Sequence, residues 1–173
     1  MFGIFFSEGY CFQVIRNVIK EDETPLPPWN ELGKKFSHGI MLTIIFVVYL
    51  LPLAALSVIL EHEYYDSGYL LLLTLAGILT FIPGAIINFA RTGDFNSAFK
   101  LGEIWEIMSS NIGLFITAVL IIFGILTLFM MLGAIALGIG IPFFLFWGSL
   151  ISAHILGQIG LEFERRREKD ATA

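Results

Sequence analysis

Between Ile107 and Leu161 the chain runs for 55 residues without an Asp, Glu, Lys or Arg. One helix through a hydrocarbon core of roughly 30 Å needs about 20 residues, so this stretch has to hold two crossings and a turn. The turn is legible at 133–142, where Gly133, Gly138, Gly140 and Pro142 gather, the residue types that most disfavour a continuous helix. Spans are therefore expected at 112–133 and 141–161. Two more uncharged stretches, 36–60 and 67–90, are each long enough for one crossing and predict spans at 38–60 and 68–90. With 57% hydrophobic and 14% charged residues, against about a quarter charged in a soluble domain, the expected fold class is all-α. It is a polytopic integral membrane protein with four transmembrane helices in two hairpins.

Four crossings put the N-terminal segment, the 91–110 connection and the C-terminal tail on one side. All ten basic residues lie there: Arg16, Lys20, Lys34, Lys35, Arg91, Lys100, Arg165, Arg166, Arg167 and Lys169. The positive-inside rule makes that side cytoplasmic and the location the cell membrane, with N- and C-termini inside. The short outer loops give the count little statistical weight, but inversion would require exporting the Arg165-Arg166-Arg167 cluster. A net charge of −5 argues against nucleic acid as a partner. The single Cys11 excludes an internal disulfide or a CxxC site and reads as an apolar filler. The first ten residues carry Glu8 and no basic cluster, unlike a cleavable signal peptide.

Three segments alternate at helical period outside the spans. In 94–108, Phe95, Ala98, Leu101, Ile104, Trp105 and Met108 form one stripe, which predicts a helix lying in the headgroups with Asp94 as its N-cap. After Pro25-Leu26-Pro27-Pro28, Trp29, Leu32 and Phe36 share a face. In 10–19, apolar residues at 11, 14, 15 and 18 stand apart from Arg16 and Asn17, an interfacial or packed amphipathic helix. The plan repeats, an amphipathic interfacial helix preceding each hairpin, with Trp29 and Trp105 as interfacial anchors. It divides the chain into an N-terminal amphipathic segment (1–24), a helical membrane domain (25–161) and a charged cytoplasmic tail (162–173).

No charged residue falls near the middle of a predicted span, which weighs against charge-coupled transport. Asn88 sits near the cytoplasmic end of the second span, and His154 with Gln158 forms an i, i+4 pair near that end of the fourth. They read either as a polar vestibule or as interhelical hydrogen bonds worth about 0.6–2 kcal/mol each. Small residues recur every fourth position as Ser149, Ala153, Gly157 and as Ala76, Thr80, Gly84, two expected helix-contact faces. Pro52 and Pro83 each remove a backbone donor inside a span. Glu61-His62-Glu63 has metal-compatible side chains, but three adjacent residues cannot all face one ion on a helix, and the plain reading is a solvated acidic loop. HExxH, GxSxG and nucleotide-loop fingerprints are missing. No enzyme activity, cofactor or metal site is expected.

Specific letters carry a resemblance. Gly9-Tyr10 leading to Val14-Ile15-Arg16, Pro25-Leu26-Pro27-Pro28-Trp29 with Gly33, Tyr49-Leu50-Leu51-Pro52, Ala90-Arg91-Thr92-Gly93-Asp94-Phe95 with Ala98-Phe99, and Ser152-Ala153-His154 with Gly157-Gln158 resemble, in order, DUF4013. This is a polytopic membrane family of archaea and bacteria classified as a domain of unknown function. The resemblance implies an all-helical membrane fold and supplies no catalytic residue. Family members usually carry a further apolar segment before the Gly-Tyr pair, where this chain has only Phe2, Ile4, Phe5 and Phe6 after Met1. The expected function is a scaffold or packing component whose partners are the lipid bilayer and a second copy or another membrane protein. The alternative is a transporter or permease-like subunit for a neutral or lipidic solute. A lipid-modifying enzyme using His154 as acid or base ranks last, for want of a carboxylate in the spans.

Overall fold

The computed structural model describes residues 2–60, 68–135, 138 and 140–172, and among these every regular element is helical. In chain order they are α1 (Phe2–Ile19), α2 (Leu32–Leu60), α3 (Gly68–Thr92), a 3₁₀ turn (Phe95–Phe99), α4 (Leu101–Ser110), α5 (Ile112–Ile135) and α6 (Ile141–Thr172). Four of them, α2, α3, α5 and α6, are long and apolar enough to cross a membrane. Their outer faces carry Val47, Leu72, Leu120, Phe123, Met131 and Phe143 exposed, as expected where acyl chains rather than water are the solvent. Glu61-His62-Glu63, Tyr64 and Tyr65 lie outside the described residues.

Helix α1 is the centre of the bundle rather than an amphipathic surface element. Tyr10, Phe12, Val14, Ile15, Val18 and Ile19 are all buried, a wider set than one stripe, because α1 packs against α2, α6 and α3. It runs antiparallel to α2, with Gly9 at Lys35 and Phe5 at Gly39. It runs parallel to α6, from Tyr10 beside Phe146 to Val18 at Gly157 and Ile19 at Gly160. The helices touch backbone to backbone at two glycines: a Cβ on Gly9 would lie 1.7 Å from the Lys35 carbonyl oxygen, and one on Gly39 would lie 1.9 Å from that of Phe5. The helix of the 1–24 segment thus shares its core with the helices that follow.

Two predicted interfacial helices differ in detail. Trp29 and Phe36 do not belong to one helix, because α2 starts at Leu32, after Glu31 at φ +51°. Buried Lys35 turns its Nζ back to the carbonyls of Pro28 and Asn30. These capture loop carbonyls and leave Trp29 free to stack on Tyr10, 4.5 Å between ring centroids. The 94–108 segment is broken at Lys100. The Ser97 carbonyl accepts from Asn88 Nδ2 (2.8 Å) and the Ala98 carbonyl from Tyr49 Oη (2.8 Å), so both are held by side chains of other helices where a continuous helix would use them for i+4 donors. Asp94 does cap the turn, accepting from the Asn96 N–H.

Helix α6 continues to Thr172 without a break into a separate tail. Glu162 to Lys169 are good helix formers, and Arg166 Nε donates to Glu162 Oε1 across one turn at 2.8 Å. At the opposite end Gly138 takes φ +78° between α5 and α6, and Gly133 lies against the backbone of Ile141. Neither glycine position accepts a side chain without strain or displacement.

Candidate functional site

Two sites stand out, a polar knot where α3 ends and an apolar cavity along the helices. The knot forms because Asn88, fully buried, finds a partner for its amide oxygen on α3 in Arg91 but reaches across to the connection with its amide N–H groups. Its Nδ2 donates to Ser97 O (2.8 Å) and Glu103 Oε2 (3.0 Å), and its Oδ1 accepts from Arg91 Nη2 (2.8 Å). Arg91 also meets Glu164 of α6 (3.1 Å) and Glu103 (3.6 Å), and its guanidinium lies 5.4 Å from the Phe163 ring centroid. Thr92 Oγ1 sits within hydrogen-bond distance of Asn88 O and Ser97 Oγ, and Ser97 Oγ donates to Asp94 O. Gly93 closes the turn at φ +73°, where a Cβ would come 3.3 Å from Arg16 Nη2. The Asn88 amide and the Lys100 ammonium, donating to the Glu103 carboxylate, hold it below its ordinary value of 4.5.

Asn88, His154 and Gln158 are therefore not brought together: Asn88 is enclosed in the knot, while His154 and Gln158 are exposed on α6. The α6 small-residue face divides between α1, which Gly157 meets, and the cavity, which Ser149 and Ala153 line. Ala153 is buried, Ser149 half-buried, and a Cβ on Gly157 would meet Val18 at 2.6 Å. On α3 only Gly84 packs, against Ile104 and Met108 of α4, whereas Ala76 is exposed and Thr80 donates to its own helix at Ala76 O. Trp29 and Trp105 are both more than half exposed.

The cavity has a volume of about 350 Å³. Helix α5 packs along α6 and touches α3 over a much smaller area. Leu79, Pro83 and Ile86 of α3 and Val119, Ile122 and Phe123 of α5 line this space. Its inner wall includes Glu8 and Cys11 of α1 with Ser149 and Ser152 of α6. Glu8 Oε2 accepts from Thr43 Oγ1 of α2 at 2.8 Å. Glu8 is a carboxylate of α1, beside the four long apolar helices rather than inside one of them. Glu8, Cys11 and Ile15 recur at helical spacing, a signal that extending the 10–19 helix back to Phe2 would have exposed.

Known proteins bear on the chain in one way. The DUF4013 family model, described as a protein of unknown function, matches residues 1–139. The chain belongs to that family. The match takes in α1 and the whole knot connection, and stops before α6, so it is displaced from the 9–161 extent of the letter resemblance. No curated protein and no solved structure matches. The DUF4013 letters recognised in the sequence fall on structural positions here: Gly9 at a helix crossing, Trp29 on Tyr10, and Arg91 to Asp94 in the knot.

Proposed function

We propose that this DUF4013 protein is a non-enzymatic, multi-pass component of the cytoplasmic membrane that acts by packing against a second copy or another membrane protein. In this reading α2, α3, α5 and α6 cross the bilayer as two hairpins, the knot and both termini face the cytoplasm, and Trp29 and Trp105 sit at the headgroups. The observation that carries it is α5. Of its 24 residues Phe115, Ala118 and Gly133 are buried, and its well-packed neighbour is α6. Helices in lipid associate through close van der Waals contact rather than a hydrophobic drive, so a span held chiefly by one neighbour has a face to offer another helix. Purification in mild detergent is expected to yield a homo-oligomer or a complex. Leu120→Trp and Phe123→Trp on the outer face of α5 are expected to dissociate it. A monomer without partners in native-lipid nanodiscs would count against the scaffold.

A permease-like role for a neutral or lipidic solute is the second reading, favoured by the cavity between α3 and α5. Reconstituted flux of such a solute, lost in a cavity-filling Ser149→Leu that still folds, would select it.

A further inference from the structure

We infer that the cavity is a binding site for a lipophilic amine, an apolar body carrying one protonated nitrogen, with the Glu8 carboxylate as its counter-charge. The inference rests on the membrane placement proposed above and not on the choice between scaffold and carrier. Leu79, Pro83, Val119 and Phe123 line the cavity, and Leu79 and Phe123 are also exposed on the outer surface, so in the proposed placement this side faces acyl chains and admits what partitions into them. A volume of about 350 Å³ lies at the small end of small-molecule sites, which span about 300–1,000 Å³.

The polar groups inside decide the charge. Ser152 Oγ donates to Gly148 O and Ser7 Oγ to Ile4 O, so these hydroxyl protons are engaged within their own helices. Glu8 holds one carboxylate oxygen against Thr43. Among the described residues no Lys, Arg or His forms an ion pair with it. The wall thus presents a carboxylate with acceptor capacity beyond its bond to Thr43, and the Ser149 hydroxyl and Cys11 thiol are the remaining donors on that wall. A carboxylate in apolar surroundings is costly unless matched by a cation with hydrogen-bond donors. A protonated amine supplies both, and a neutral alcohol or an anion does not.

The test measures equilibrium binding of radiolabelled decylamine to the full chain in zwitterionic nanodiscs, with decanol and decanoate as competitors. Decylamine is expected to saturate one site, and neither competitor to displace it at equal membrane concentration. Glu8→Gln is expected to weaken binding about 10- to 100-fold, the loss of one charge-assisted hydrogen bond, while Thr43→Val, which leaves the carboxylate, stays within about threefold of wild type. Displacement by decanol as effective as by amine, or undiminished binding to Glu8→Gln, overturns the inference. Should Glu8→Gln fail to fold, Ser149→Leu fills the space from α6 with Glu8 intact, and unchanged binding there overturns it equally. Failure in these assays leaves the membrane placement standing, whereas a chain that stays monodisperse in plain buffer without amphiphile removes the placement itself.

Discussion

Where α3 gives way to α4, four elements are tied by polar side chains: Asn88, Arg91 and Thr92 from α3, Ser97 from the 3₁₀ turn, Glu103 from α4 and Glu164 from α6. Along the flank between α3 and α5 the same bundle has no such ties and leaves a cavity walled by Ile82, Pro83, Val119 and Ile122. Directional bonds with buried partners fix one geometry and penalise every other. Apolar side chains in lipid gain little by preferring each other over acyl chains. One end of the molecule is therefore fixed by directional bonds, and the flank is held by less specific apolar contacts around a cavity.

That contrast can be broken most severely at the crossing of α1 and α2, beside buried Lys35. Gly9→Leu places carbon where the Lys35 carbonyl stands and is expected to destabilise the bundle by about 3 kcal/mol or more, read as loss of the folded, monodisperse species in detergent. Asn88→Leu is next. It strips partners from the Ser97 carbonyl, Arg91 and Glu103 at once, for an expected loss of about 2–3 kcal/mol, measured by thermal unfolding in nanodiscs. Truncating the flank should cost far less. Ile122→Ala, on the cavity wall, is expected to lose under about 1 kcal/mol, whereas Ile104→Ala, fully buried against Gly84, loses about 2–4 kcal/mol. Equal losses at the two isoleucines would erase the distinction between end and flank.

The smallest effect is a pH dependence. The Glu103 carboxylate is held below 4.5 when folded, so its contribution is fully present above the unfolded carboxylate value and is lost as pH falls through the lower folded value. Wild type is therefore expected to lose its advantage over Glu103→Gln on acidification from pH 5 downwards. Parallel unfolding curves across that window would place the source of acid sensitivity elsewhere.

How much of this was legible beforehand follows the physics of each signal. The four long helices come directly from charge-free length, which lipid enforces on any chain that crosses it. Asp94 announced its cap, and the α6 stripe of Ser149, Ala153 and Gly157 its close packing. Periodicity could not say that Gly157 of that stripe meets α1 while Ser149 and Ala153 line a cavity, because a small residue records that something comes near and not what. It also read Asn88 as one of several isolated polar groups, since its partners Ser97, Glu103 and Arg91 meet it only through the turn that the bonds themselves create. The split of 94–108 has the same origin. Lys35 stands among the ten basic residues of one side, and nothing in its spacing announces that it is buried under loop carbonyls. Glu8 stands outside the 10–19 stripe, so its place on α1 beside the cavity is visible only in the structure.

Accessibility of two introduced cysteines in a Cys11→Ser background tests the central claim most directly: this bundle lives in lipid with its knotted end toward the cytoplasm. Tyr69→Cys, at the exposed start of α3, and Asp170→Cys, near the exposed end of α6, are treated with a membrane-impermeant maleimide before and after cells are opened. The account predicts that position 69 is labelled in intact cells and position 170 only after opening. Labelling of position 170 in intact cells, or of both positions alike, contradicts it.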